Sequence, residues 1–215
     1  MEYFAIIGDI VCSKLIEDRL SVQKQLNSVL DKVNSEYAKE IASRFIITLG
    51  DEFQGLLSSG ENVVEIAKLI QNLMYPVKIR FGIGLGEIAT DINPEMAIGA
   101  DGPAYYYARD AINMVEATEC QNKIQAADII VKSENSDEVI QLINNNLMLI
   151  HVIEQSWTKR QRQIVNEIQH LGGNQSLCAN KLGISQSTVQ RALIGASYYA
   201  YRDSMELFKR ILKEK

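Results

Sequence analysis

The pattern of apolar and polar positions divides the chain into alternating strand and helix signals. Tyr3 to Val11 is a nearly unbroken apolar run, which predicts a buried strand. From Leu15 to about Lys39, Leu20, Gln23, Leu26, Leu30 and Val33 recur at spacings of three and four, which predicts a long helix. Arg44 to Leu49 and Glu52 to Leu57 read as short strands with Gly50-Asp51 in turn position. Asn62 to Met74 predicts a helix, and Val77 to Ile88 either one long strand or a strand pair. Asp101 to Ala117 predicts another helix and Ala126 to Val131 another strand. The leading order β-α-β-β-α-β predicts an α+β, ferredoxin-like domain over residues 1–135. A connecting helix, about Asp137 to Gln155, fills residues 136–156 and leads without a flexible linker into an all-α module over residues 157–215.

Within that module three helices are predicted: Lys159 to His170, Gln175 to Leu182 and Gln186 to Ile194. Gly172-Gly173 ends the first as a left-handed cap, and Gly183 supplies a positive φ after the second. Ser185 is placed to cap the third, and Ile184 to plug the turn before it. Two helices joined by a short turn containing Gly describe a helix-turn-helix. Val189, Ala192 and Leu193 can face inward, which leaves Gln186, Ser187, Thr188, Gln190 and Arg191 outward. Those side chains suit base edges and phosphates, so DNA is the predicted partner. The segment LGISQSTVQRAL resembles the helix-turn-helix of many bacterial regulators. A plain three-helix packing unit, or a helical hairpin that binds protein, is the alternative. The tail from Tyr198 carries an apolar stripe, Met205, Leu207, Phe208, Ile211 and Leu212, suited to packing on the module or to a homodimer seam.

Charge adds to the picture. The net charge of −5 conceals an asymmetry: residues 157–215 hold 10 Lys/Arg against 4 Asp/Glu, and the remainder is strongly acidic. A basic end on an acidic body fits a phosphate-backbone binder joined to something else, or a solvated basic helix. The three cysteines have no metal-site spacing and are odd in number, which predicts a reducing, cytoplasmic setting. No signal peptide is legible, and no run approaches the ~18 apolar residues of a membrane span.

Two carboxylates stand out in the N-terminal part. Asp9 ends an apolar strand, and Asp51 sits at a hairpin tip. In a ferredoxin-like sheet these positions lie close enough to converge on one Mg2+ or Mn2+ held with substrate phosphates. Val11, Cys12, Ser13 and Lys14 follow Asp9 and are predicted to offer backbone amides and a cation to a phosphate at a helix N-terminus. Taken singly, a strand-end Asp is as readily an N-cap, and a turn Asp an ordinary turn residue.

The segments IIGDIVCSK (6–14), FIITLGDEFQGLL (45–57), IRFGIGLGEI (79–88) and DGPAYYYARDAI (101–112) resemble, in order, the sequence landmarks of class III nucleotide cyclases. The GDEF tetrapeptide is also similar to that of the diguanylate cyclases, and the whole chain resembles the SatD family, a cyclase-like part followed by a helix-turn-helix. The resemblance implies a nucleotide ligand and a metal site at Asp9, Ile10 and Asp51. It also exposes departures. Ile47 stands where the cyclases place an adenine-selecting Lys, and Tyr106 and Asp110 stand at their catalytic Asn and Arg positions. Arg109 is one residue off, about 100° away on a helix. Losing a cation at a phosphoryl-transfer transition state costs orders of magnitude in rate. The leading expectation is therefore a DNA-binding regulator that senses a nucleotide with a divalent metal. A divergent phosphoryl-transfer enzyme with a substitute cation at Arg80, Arg109 or Lys123 is one alternative, and a ligand-free interaction scaffold the other.

Overall fold

A computed structural model describes residues 1–122, 127–134 and 138–215. Lys123, Ala126 and Asp137, named above, lie outside the described residues. The apolar N-terminal run becomes β1 (Tyr3–Ile10). After a single 3-10 turn at Ser13–Leu15 comes α1 (Arg19–Glu36), then β2 (Ile41–Leu49), β3 (Glu52–Leu57), α2 (Val63–Met74) and β4 (Ile79–Gly86). The sheet order is β2-β3-β1-β4-β5, where β5 is Ile129–Ser133. β1 runs antiparallel to both β3 and β4, and β2 antiparallel to β3. The first six elements thus make the predicted ferredoxin-like βαββαβ, and Val77 to Ile88 resolves as one strand. Helix α3 (Pro103–Asn122) and β5, parallel to β4, extend it.

One boundary moved with consequence. The predicted helix start at Leu15 is wrong: Asp18 is the cap, its carboxylate accepting from Ser21 N at 3.0 Å, and the helix proper begins at Arg19. A carboxylate cap satisfies an orphan amide and favours that site over an upstream one.

The GIGLG pattern has a packing cause. Gly82 and Gly84 lie where α3 crosses β4, and an added Cβ would sit 2.1 Å from Ala108 O and 2.0 Å from Ala104 O respectively. Helix α3 therefore rests its backbone on the strand, and Ala104, Ala108 and Ile112 pack with Ala5, Ile7 and Leu56.

Each sheet edge is closed by an Asn amide that imitates a neighbouring strand. On β2, Asn34 donates to Phe45 O at 2.9 Å and accepts from Phe45 N at 2.8 Å. On β5, Asn144 of α4 (Glu138–Gln155) does the same for Val131, both bonds at 2.8 Å. Asn34 is buried, so Asn34→Leu strands two backbone groups away from water. Each costs about 1–3 kcal/mol, so a loss of about 2–6 kcal/mol in chemical denaturation is expected. Asn144→Leu, at a half-exposed position, is expected to cost less.

The chain divides into two compact units, Met1–Met148 with Phe208–Lys215, and Leu149–Leu207. The second holds α5 (Lys159–His170), α6 (Gln175–Leu182), α7 (Gln186–Gly195) and most of α8 (Tyr198–Lys213). Trp157, Ile164, Val165, Ile168, Cys178, Val189, Leu193 and Tyr201 are buried. Trp157 Nε1 donates to Ala196 O at 2.7 Å, tying the start of α5 to the end of α7. Phe208–Lys215, expected to belong to the helical module, is part of the first unit instead. There Lys213 pairs with Glu61 at 2.8 Å and Lys209 with Glu65 at 3.4 Å. Phe208 and Leu212 are buried. No helix among the described residues is long and apolar enough to cross a membrane.

Candidate functional site

Register decides what surrounds Asp9. In the sheet it stands opposite Glu52 on β3 and opposite Arg80 on β4. Opposed residues point to one face, here the face that α3 covers. Arg80 donates through Nε at 2.9 Å and Nη2 at 2.5 Å to Asp9 Oδ2. Its Nη2 also reaches Glu116 Oε1 on α3 at 3.2 Å. Arg109, two turns before Glu116, donates with both terminal nitrogens to Glu52, the Nη2–Oε1 bond being 2.7 Å. The result is a row, Arg109–Glu52–Asp9–Arg80–Glu116, in which two neighbouring carboxylates stand between the two arginines. Asp9 has its pKa raised: burial outweighs the Arg80 contact, and the charges of Asp51 and Glu52 add to the rise. Ionised Asp9 thus costs folded-state stability as pH rises through that pKa. Arg109 is raised, chiefly by its hydrogen bond to Glu52.

Asp51 belongs to a second neighbourhood at the end of the sheet. Gly50, at φ 55°, lets the chain turn between β2 and β3. Ile10 N donates to Asp51 O at 3.2 Å, and the buried Ser13 donates its Oγ to Asp51 Oδ2. Beside them opens a cleft of about 320 Å3 lined by Ile10, Ser13, Asp51, Gly50, Arg19, Gln23 and the apolar Ile16, Leu20 and Val22. Asp9 does not line this cleft. The charge of Asp51 adds to the rise in the Asp9 pKa, after burial.

The predicted phosphate loop is partly spent. Val11 N donates to Lys78 O at 3.0 Å, and Cys12 takes a left-handed φ of 54°. Lys14 is exposed and does not line the cleft. The loop does not open a long helix, because the 3-10 turn intervenes. Arg19 lines the cleft in its place. The sequence signal for it was Asp18, a cap residue directly before Arg19, which would have put this cation on the first turn of α1.

As a donor to a hard cation, the Asp51 carboxylate in the cleft suits oxygen coordination, and Ile10 lines the same cleft. Asp9 is committed on Oδ2 to Arg80, and Glu52 to Arg109. The donor set fits a single cation beside Asp51 better than two. Tyr106, at the expected Asn position, donates to Asp101 at 2.7 Å, and Asp110 pairs with Lys132 at 3.6 Å. Ile47 is half-buried opposite Phe53. Tyr105 is a core residue whose phenol burial pushes up to about 12.

On the second unit, Thr158 and Gln161 form a capping box on α5, Asn174 caps α6, and Ser185 caps α7 by accepting from Thr188 N at 3.2 Å. Gly183 has φ 63°. Gln186, Ser187 and Arg191 are exposed, while Thr188 is half-buried with its hydroxyl 2.8 Å from Ser185 Oγ. Gln190 does not face outward as expected: its Oε1 accepts from Gln175 at 2.6 Å and from Tyr199 at 2.9 Å. The periodicity of α7 alone could not show this, because the partners come from α6 and α8. Ile184, expected as a buried plug, is only half-buried, and Leu177 is exposed.

A ferredoxin-like sheet, extended by α3 and β5 and with a cleft lined by Asp51 at one end, makes a mixed α+β domain. The chain belongs to the SatD family, whose family model matches residues 3–207. Among solved structures it is similar to the dimeric guanylyl cyclase domain of the RhoGC fusion protein from the aquatic fungus Blastocladiella emersonii, at 16% identity, 52% of this chain, 73% of that chain and a TM-score of 0.41. It is similar to a bacterial light-regulated adenylyl cyclase at 15% identity, 60% of this chain, 74% of that chain and a TM-score of 0.42. A regulator of polyketide synthase expression from Bifidobacterium adolescentis is similar at 11% identity, 98% of this chain, 85% of that chain and a TM-score of 0.28. No curated protein sequence matches the chain.

Proposed function

We propose that the protein is a DNA-binding regulator whose first unit senses a nucleotide together with a divalent cation. The observation that carries the DNA reading is the exposed face of α7. Gln186, Ser187 and Arg191 point to solvent from a helix that follows α6 after residues 183–185, and Arg191 has no partner among the described residues. That exposure supports a helix-turn-helix reading, in which the early residues of the second helix enter the major groove. Thr188 and Gln190 then serve the fold of the module more than base contact.

The charge argument is weaker in the fold than in the sequence. Leu149–Leu207 carries six Lys/Arg against four Asp/Glu. Lys209 and Lys213 are paired within the first unit. Few phosphate contacts are therefore available, and the expected dependence of log affinity on log salt has a slope of about −3 per module. Arg191→Ala is expected to weaken binding to duplexes selected from a random pool by about 1–3 kcal/mol, read by fluorescence anisotropy. Absence of any duplex binding at low salt would refute the DNA reading.

In the first unit, Asp51 and the Ile10 carbonyl would hold a Mg2+ or Mn2+ ion, with Asp9 behind them. The cation would supply charge neutralisation for bound phosphates. Arg19 and Ser13 line the same cleft and would meet an anionic ligand there, while Ile16, Leu20 and Val22 offer an apolar wall. Sensing is favoured over turnover because the two described substitute cations, Arg80 and Arg109, are held in ion pairs.

A further inference from the structure

Helix α7 is seated on little apolar surface. Val189 and Leu193 are its two buried side chains, four residues apart on one line along the helix. A single line of contact sets how far α7 stands from α5 and α6, which pack against it, but does not stop it rolling about its own axis. Gln190 supplies a second line, about 100° further round. Its Oε1 accepts from Gln175 Nε2 at 2.6 Å and from the Tyr199 hydroxyl at 2.9 Å, so both lone pairs of that oxygen are used. Gln175 Nε2 also donates to the Tyr199 hydroxyl at 3.2 Å, which closes a triangle. Its corners come from three helices: Gln175 opens α6, Gln190 lies in α7, and Tyr199 lies in the first turn of α8. Arg202, one turn further along α8, lies over the Tyr199 ring at 5.4 Å from its centroid and braces it.

We infer that this triangle sets the sequence specificity of the module by fixing the roll of α7, with Gln175, Gln190 and Tyr199 as positioning residues that touch no base. Gln186 stands one turn before Gln190 on the same side of the helix, and Arg191 is the next residue round, so both exposed side chains turn with it. At the roughly 5–6 Å radius of a helix with its side chains, a roll of about 20° shifts a side-chain tip by roughly 2 Å. A base-edge contact needs placement to within about 0.5 Å. Phosphate contact is sequence-independent attraction between charges, and survives such a shift. Loss of the triangle therefore removes base readout and spares non-specific binding. The inference rests on the DNA reading of α7, and the two fail in different ways.

The test uses the full chain and two duplexes: the best one that wild type selects from a random pool, and a scrambled one of the same length. Fluorescence anisotropy gives both affinities over a salt series. Gln190→Leu is expected to lower the ratio of the two affinities about 10- to 100-fold, the scale of one or two lost base contacts. Its affinity for the scrambled duplex, and the salt slope of that affinity, are expected to stay at wild-type values. Gln190→Glu keeps an oxygen acceptor for Gln175 and Tyr199 and adds a negative charge, so it is expected to weaken both duplexes alike and to keep the wild-type ratio. A role in stability alone would lower both affinities through the folded fraction and leave the ratio unmoved. Circular dichroism checks folding; if Gln190→Leu does not fold, Tyr199→Phe, which removes the hydroxyl corner, decides by the same fall in ratio. An unchanged ratio in the folded variant overturns the inference and leaves the DNA reading standing. So does an equal fall in Gln190→Glu, or a wild type that binds every duplex alike. A wild type that binds no duplex overturns both.

Discussion

Gly84→Ala is expected to lower the melting temperature by about 10 °C, the largest effect of any single methyl group in the first unit. The added Cβ would lie 2.0 Å from Ala104 O and 2.3 Å from Ala108 N. Both obstacles are helix backbone, which cannot rotate away as a side chain can. Helix α3 would have to lift from β4, loosening the contacts of Ala5, Ile7, Ala108 and Ile112. Overpacking of this kind costs typically about 1–3 kcal/mol and more where backbone is the obstacle. In a chain of this size about 3 kcal/mol corresponds to the stated shift. Gly50→Asn is the matching control. Nothing lies within 4 Å of a Cβ there, and only its positive φ resists substitution, which Asn tolerates better than most residues. Thermal denaturation that leaves Gly84→Ala as stable as Gly50→Asn would mean that α3 does not rest on β4 as described.

Asp51→Asn is expected to remove the metal-dependent thermal stabilisation of the protein by its nucleotide. A ligand at about one hundred times its dissociation constant stabilises by roughly 2.7 kcal/mol. That is a rise of about 5–10 °C for a chain of this length. Asn retains an acceptor for Ser13 Oγ, so the loop should keep its place while the charge is lost. The measurement is a thermal-shift panel of common nucleotides with and without Mn2+, on wild type and variant. A rise in wild type that the variant loses supports the cation beside Asp51. A rise equal in both, or independent of Mn2+, removes the metal from the reading, and a flat wild-type panel removes the nucleotide.

Much of the fold was legible because it is written locally. An unbroken apolar run placed β1, spacings of three and four placed the body of α1, and the helices α5, α6 and α7 followed from apolar positions with cap residues and glycines at their ends. The order of the first six elements was enough for a ferredoxin-like sheet, because few topologies accommodate that order. The start of α1 was placed at Leu15, three residues ahead of Asp18, whose carboxylate supplies the cap. That single shift exchanged Lys14 for Arg19 in the cleft.

The residues of the site were partly legible too. Ser13, expected in a phosphate loop, donates its hydroxyl to Asp51. Asp9 did not enter the cleft, and the reason is cross-strand register, which no single segment contains. Sequence by itself determined the elements, the ferredoxin-like order, the glycines of β4 and the chemical types at the strand ends, since each depends on neighbours a few residues away. Tertiary structure decided that Arg80 stands opposite Asp9, that Arg109 holds Glu52, that Gln190 turns inward to Gln175 and Tyr199, and that the basic tail pairs with Glu61 and Glu65. Those outcomes depend on which distant side chain arrives first at a charge or amide, and the energy of that choice is set by burial and geometry, not by sequence spacing.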